Sequence, residues 1–233
     1  IGKVVDVGAD MPSSKMALEL AKQYEFVYAA LGVHPSEVEG LTEDDMAWIS
    51  SHAAHEKVAA IGEIGLDYHW PEPKPALQKQ WFRRQIELAK EVKLPIIVHS
   101  RDAAEPTMQI IQETKAYECG GVIHCYSYSP EMAEEYVKMG FFIGMGGVLT
   151  FKNAKKLVRC AERIPLSSIV LETDCPYMAP EPNRGKRNDS SQLIYVAQKL
   201  AEIKGITAEE VKQVTTENAH RLYLSLIHIS EPT

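Results

Sequence analysis

"AAIGEIGLDYHW", residues 59–70, reads as a strand suited to burial on both faces that nonetheless carries carboxylates toward its end. From Val58 to Ile64 the chain is apolar or small except at Glu63, and Asp67 follows four positions later with Tyr68 and His69 close behind. Burying an unpaired carboxylate costs on the order of several kcal/mol, so such a strand is expected to offer Glu63 a metal ion or a cationic partner. A strand apolar on both faces belongs in a parallel sheet covered by helices.

Working outward, similar β-rich runs recur at 3–8, 26–35, 94–102, 120–127, 141–148 and 168–177, which together with 58–68 makes seven expected strands. Helical patterns alternate with them, at 13–24, 42–55, 75–92, 104–116, 130–139, 153–163, 190–204 and 207–222. The clearest is 75–92, where Leu77, Trp81, Ile86, Leu88 and Val92 form an apolar stripe near the helical period. Pro75 suits its first turn, and Leu94-Pro95 ends it before the next strand. Thr42 and Thr207 are expected N-caps, and Trp48 and Trp81 are expected in the core. No linker and no internal repeat interrupts the alternation.

Repeated strand-helix units leave two closures, an open doubly wound sheet and a (β/α)8 barrel. The polar residues favour the barrel. His34, Glu63 with Asp67, His99, His124 and Asp174 all fall at or just past the C-terminal ends of expected strands. A barrel gathers all those ends at one mouth, whereas an open sheet collects ligands mainly at one switch point. The expected fold is therefore α/β, a TIM (β/α)8-type barrel. Only seven strands are read and the chain opens inside one, so the first β/α unit is expected to be missing.

Composition narrows the function. The 233 residues, 45% of them hydrophobic, suit a single α/β domain. A net charge of -7 gives no global basic field, so any nucleic-acid contact must rest on a local patch. Cys119, Cys125, Cys160 and Cys175 lack CxxC spacing, which argues against a zinc ribbon or a thioredoxin-type site; they read as reduced thiols of a cytoplasmic protein. No run of 18 or more apolar residues points to a membrane, no signal peptide is seen, and no obligate protein partner is evident.

A lone histidine after an apolar strand is ordinarily a loop residue, but Glu63, His99, His124 and Asp174 occupy equivalent positions on four strands. Two imidazoles and two carboxylates facing one cavity suit zinc, manganese or magnesium, and a bridging carboxylate suits a pair of ions. "RGKR", 184–187, lies in the loop after the last strand, where Arg184, Lys186 and Arg187 are read as phosphate contacts beside Asn183 and Asn188. Arg101, two residues after His99, is read the same way. "GMGGV", 144–148, lacks the residues of a P-loop and the spacing of a dinucleotide fingerprint, and is read as a close backbone approach. Cys125 and Cys175 are read as packing, and His52, His55, His69 and His220 as surface residues or supports of the site.

"GEIGLDYHW", "LPIIVHSRD", "GGVIHCYS", "VLETDCPY" and "RGKRN", in this order, resemble the TatD family of metal-dependent deoxyribonucleases in its bacterial form, within the amidohydrolase-like barrels. The resemblance runs from residue 1 to about 224 and implies a single barrel domain over 1–224. It implies two divalent ions (Mg, Mn or Zn), with Glu63 bridging them and His99, His124 and Asp174 as further ligands. It also implies 3′-to-5′ exonuclease action on single-stranded DNA ends, or RNA, in which Glu63 and Asp174 are catalytic and Asp174 takes a proton from water. His34 then joins Arg101, Arg184, Lys186 and Arg187 as a phosphate contact.

The family's His-x-His pair has no counterpart here, which implies an N-terminally truncated chain with two unpaired strand edges, prone to self-association and to inactivity. Residues 225–233, "SLIHISEPT", match nothing in the family pattern and read as an artefactual tail. Two rival functions stand beside the nuclease: a same-fold hydrolase of another ester or amide, such as a D-aminoacyl-tRNA deacylase, and an inactive scaffold.

Overall fold

A computed structural model describes residues 1–224; the expected tail at 225–233 lies outside the described residues. All seven expected strands form: β1 Val4–Val7, β2 Val27–Leu31, β3 Val58–Asp67, β4 Ile96–Arg101, β5 Gly121–Ile123, β6 Phe142–Met145 and β7 Ile169–Leu171. Between and after them lie α1 Met11–Gln23, α2 Glu43–His52, α3 Pro75–Val92, α4 Ala104–Glu113, α5 Pro130–Lys138, α6 Lys155–Arg163, α7 Leu193–Lys204 and α8 Ala208–Tyr223. The strands are shorter than the apolar runs suggest. Their polar tails leave the sheet, as Pro35–Glu37 and Gly147–Thr150 do by turning into 3-10 helices. The glycine-rich 144–148 run thus ends a strand and begins a turn.

The chain forms two compact units, Gly2–Gly121 and Val122–Leu222. In the first, β1, β2, β3 and β4 are parallel and follow chain order, with Val4 opposite Val27, Ala30 opposite Ala60 and Ile61 opposite Ile96. Nine of the ten β3 residues are buried, as expected of a strand covered on both faces. Leu31, Ile61, Ile64 and Leu66 from the strands, with Leu18, Ile49, Phe82 and Ile86 from the helices, are the inaccessible centre of the core. In the second unit β5, β6 and β7 are likewise parallel and in chain order, with Ile123 opposite Ile143 and Met145 opposite Leu171. Neither unit reverses its strand order, so neither has the switch point of a doubly wound sheet. Seven parallel strands alternating with helices are the TIM-type (β/α) fold.

Local signals start and stop the helices. Pro75 opens α3 and Lys93, in the left-handed region at φ 58°, closes it. Thr42 caps α2 through a reciprocal capping box with Asp45. Thr207 makes the same box with Glu210, its N–H donating to Glu210 Oε2 at 2.8 Å. Two core expectations need correction. Trp81 is buried, but Trp48 is only half-buried, stacked on His52 under the Lys15 ammonium, because its helix position faces the rim of α2. Cys125 is half-buried and Cys175 is exposed, since both lie beyond the strand ends where alternation no longer turns neighbours inward.

Candidate metal centre

In the first unit β3 and β4 meet most closely at Gly65, whose register partner is His99. A Cβ on Gly65 would lie 1.9 Å from His99 O, and its φ of 149° is open only to glycine, so this contact requires the missing side chain. Just before it the register shifts between Ile61 and Ile64, and Glu63 N–H donates to Gly8 O (2.9 Å) instead of to the β4 ladder. Such an irregularity re-aims a side chain. It accompanies a half-buried Glu63 whose Oε1 lies 2.8 Å from His99 Nδ1.

His99 Nε2 faces Asp67 Oδ2 at 3.0 Å, so each ring nitrogen looks at a carboxylate. Burial alone would push the His99 pKa down, but the hydrogen bonds to Asp67 and Glu63 outweigh it and raise it above the ordinary value. Burial pulls Asp67 the opposite way, and the His99 bond with the His69 N–H wins, holding its carboxyl below the usual range. Asp67 itself is buried, and α3 fixes it: Gln78 accepts from Asp67 N–H and donates to Asp67 O, both at 2.8 Å.

His34 completes this cluster. Its ring lies edge-on to His99 with centroids 4.2 Å apart, and Nε2 is 3.9 Å from Glu63 Oε1. Burial, reinforced by the neighbouring His99, lowers its pKa to about 4 against the pull of Glu63, so it is neutral at pH 7. Ser36 engages Nδ1, with its N–H donating at 3.1 Å and its hydroxyl 2.8 Å away, which leaves Nε2 on the side of Glu63. A second glutamine of α3, Gln85, holds the backbone before it by accepting from Val33 N–H (2.8 Å) and donating to Val33 O (3.0 Å).

One donor atom from each of His34, Glu63 and His99 lies within 4.8 Å of the others, so the cluster has the size and chemistry of a divalent-cation site. His99 has Nε2 held by the Asp67 carboxylate, as is usual for a ligating imidazole, while Nδ1 faces Glu63, its neighbour in the cluster.

The second unit repeats the device. His124 follows β5, and Glu172 Oε2 lies 2.8 Å from its Nδ1, which turns Nε2 toward Asp174 Oδ1 at 3.5 Å. Glu172 also accepts from Cys125 N–H (2.7 Å), so the carboxylate is fixed before any ligand arrives. Gly144 makes room for it, since a Cβ there would stand 2.3 Å from Glu172 Oε2. Asp174 sits in the left-handed region at φ 56°. Its loop is pinned by the buried Asn188, whose amide donates to Thr173 O and Tyr177 O, both at 2.7 Å.

Of the residues expected at the site, the structure brings Glu63, His99 and His34 together in one unit and His124 with Asp174 in the other. Arg101 ends β4 with its side chain exposed. Arg184 lies over the Phe151 ring at 4.2 Å, Lys186 donates to Asn183 Oδ1 (3.1 Å), and Arg187 is exposed in the same loop. His69, exposed, faces Asp102, and His220 is on the surface. Sequence reasoning missed Glu172 as the holder of His124. No local signal marks the pairing, because the two residues lie 48 positions apart. Tyr177, 71% exposed beside Asp174, also went unread.

Comparison with known proteins gives the family. The family model described as TatD related DNase matches residues 1–224. The chain is 49% identical over 223 residues to the uncharacterized metal-dependent hydrolase YabD of Bacillus subtilis, covering 96% of this chain and 88% of that protein. It is 37% identical to the uncharacterized metal-dependent hydrolase YcfH of Escherichia coli K12, covering 93% and 81% respectively. Among solved structures, YjjV, a TatD homolog from Escherichia coli K12, superposes with a TM-score of 0.90 at 32% identity, covering 96% of this chain and 86% of that one. With its donor clusters at strand ends and this kinship over nearly its whole described length, the chain belongs to the TatD family and is a metal-dependent hydrolase.

Proposed function

We propose that this hydrolase cleaves phosphodiester bonds, working 3′ to 5′ from the ends of single-stranded DNA and accepting RNA. The observation that carries the reading is the pair of carboxylate-held histidines, His99 with Asp67 and His124 with Glu172, in a chain matched by a family described as DNase. Glu63 and His99 of the first unit, and His124 and Asp174 of the second, are the proposed donors for two divalent ions. Ions so held supply Lewis acidity toward a phosphoryl oxygen and lower the pKa of water.

The remaining steps belong to the chain's own side chains. His99 would hold an ion together with Glu63, and Asp67, bonded to Nε2, keeps the ring from turning. Asp174, exposed enough to meet solvent, takes a proton from the attacking water on its carboxylate. His34 donates from Nε2–H to a phosphate oxygen, which its low pKa permits without adding charge to the site. Arg101, Arg184, Lys186 and Arg187 donate to neighbouring phosphates.

A 5′-labelled single-stranded oligonucleotide, incubated with Mg²⁺ or Mn²⁺ and separately with EDTA, tests the proposal. A ladder shortening from the 3′ end with metal, absent with EDTA and absent in Glu63→Gln, is the expected result. Full activity in Glu63→Gln removes the metal assignment. No cleavage by a metal-loaded, folded protein, with hydrolysis of an aminoacyl ester instead, moves the activity to the deacylase.

A further inference from the structure

A basic stretch of this acidic chain includes none of the residues assigned so far. Between Lys152 and Arg163 it carries five cations, Lys152, Lys155, Lys156, Arg159 and Arg163, against the single acid Glu162. Four of them belong to α6, whose opposite face buries Leu157, Cys160 and Ala161, so the cations are pushed to the outer flank. That flank and the first turn of α5 enclose a groove of about 680 Å³. Arg163 fixes its shape by tying α6 to α5, pairing with Glu131 and with Glu134 through Nε and Nη2 at 2.8 Å each. The acid at the α5 end is thereby occupied within the protein.

Lys155, Lys156 and Arg159 line the same groove together with Glu162, and among the described residues their side chains have neither an ion pair within 4 Å nor a hydrogen bond. Four lysines of other helices behave differently. Lys22, Lys138, Lys199 and Lys212 on α1, α5, α7 and α8 each pair with a glutamate three residues away. A helix that keeps three cations unpaired along one groove, in a protein of net charge -7, is arranged to receive negative charge from outside.

We infer that the α5–α6 groove binds the sugar-phosphate backbone of a single-stranded nucleic acid. The cations span one flank of the helix at 1.5 Å per residue, about 6 Å from Lys155 to Arg159, which presents a row and not a point charge. A row matches the repeated charges of an extended backbone better than one free phosphate, and a groove of about 680 Å³ is small for a duplex. Ser129, which caps α5 at the mouth of the groove, follows His124 by only four intervening residues, so the bound strand leaves the groove beside a loop that carries a proposed metal donor. The identity of the polyanion rests on the nuclease reading; the anion-binding role of the three cations does not.

The test is fluorescence anisotropy of a labelled, hydrolysis-resistant phosphorothioate single strand, titrated with the metal-loaded protein over a range of salt. Lys155→Ala, Lys156→Ala and Arg159→Ala combined should weaken binding about tenfold or more and flatten the log–log salt slope by about 2, as three lost single-strand phosphate contacts require. Alanine favours the helix, and circular dichroism reports whether α6 is kept. Lys138→Ala, Lys199→Ala and Lys212→Ala combined removes the same charge from paired positions and should leave affinity within about twofold. Equal weakening by the two triple variants reduces the effect to net charge and overturns the inference. So does unchanged affinity in the α6 variant, or displacement of the strand by inorganic phosphate at equal phosphate concentration. Cleavage by wild type read separately keeps the two proposals apart: binding lost in the α6 variant without any wild-type cleavage sinks the nuclease and leaves the groove.

Discussion

At the scale of single residues, the chemistry rests on which nitrogen of an imidazole is committed before a ligand arrives. Glu172 commits Nδ1 of His124 as Asp67 commits Nε2 of His99. Replacing Glu172 with Gln keeps the shape but removes the charge that holds the ring, and should weaken Mn²⁺ binding about 10- to 100-fold, read by calorimetric titration, with the fold unchanged by circular dichroism. An unaltered affinity would show that His124 is not oriented for a metal. The four proposed ligands were legible because each ends an apolar run, and a polar side chain there has few structural uses. Glu172 was not legible as a partner of His124, since a contact between residues 48 apart leaves no local pattern.

At the scale of elements, β3 and β4 can pair only because Gly65 lacks a side chain. Gly65→Ala puts a methyl 1.9 Å from His99 O at a φ that alanine avoids, so it should lower the urea midpoint sharply or prevent folding. The glutamines of α3 make a milder case. Gln85→Leu leaves Val33 N–H and O without their partner and should cost about 1–3 kcal/mol in urea unfolding, while Glu87→Ala on the exposed face should cost little. The start of α8 responds to acid. Hydrogen bonds from Thr207 N–H, then from its hydroxyl, hold Glu210 below its ordinary 4.5. A lowered carboxyl pKa adds stability that is fully present above 4.5 and is lost as pH falls through the folded value, so an NMR titration should place Glu210 below 4.5 and Thr207→Ala should move it back up. The span of α3 was legible at both ends because Pro75 and Leu94-Pro95 mark it. Its two buried glutamines were not, because a periodicity of apolar residues counts them on the wet side.

For the molecule as a whole, a cation that binds the native chain and not the unfolded one must raise its stability. At a Mn²⁺ concentration 100 times its dissociation constant, the gain should be about 2.7 kcal/mol, visible as a higher unfolding midpoint that EDTA abolishes. A midpoint indifferent to both would count against the metal reading. The α/β alternation was legible throughout, since strands buried on both faces and amphipathic helices follow different periods. Less legible was where each strand stops: β6 ends at Met145 although its apolar run continues, because the turn beyond also buries apolar side chains such as Leu149. Among the described residues no helix is long and apolar enough to cross a membrane.

Gln78 and Gln85 stand seven positions apart on α3, which spaces their reach by about 10.5 Å along the helix axis and returns them to nearly one azimuth. The helix is therefore a fixed gauge between the chain before His34 and the chain at Asp67. Inserting or deleting a single residue between them would swing one amide by about 100°. Only one of the two grips would then survive, however harmless the change looked on the exposed face. Length, more than composition, is what this segment has to keep.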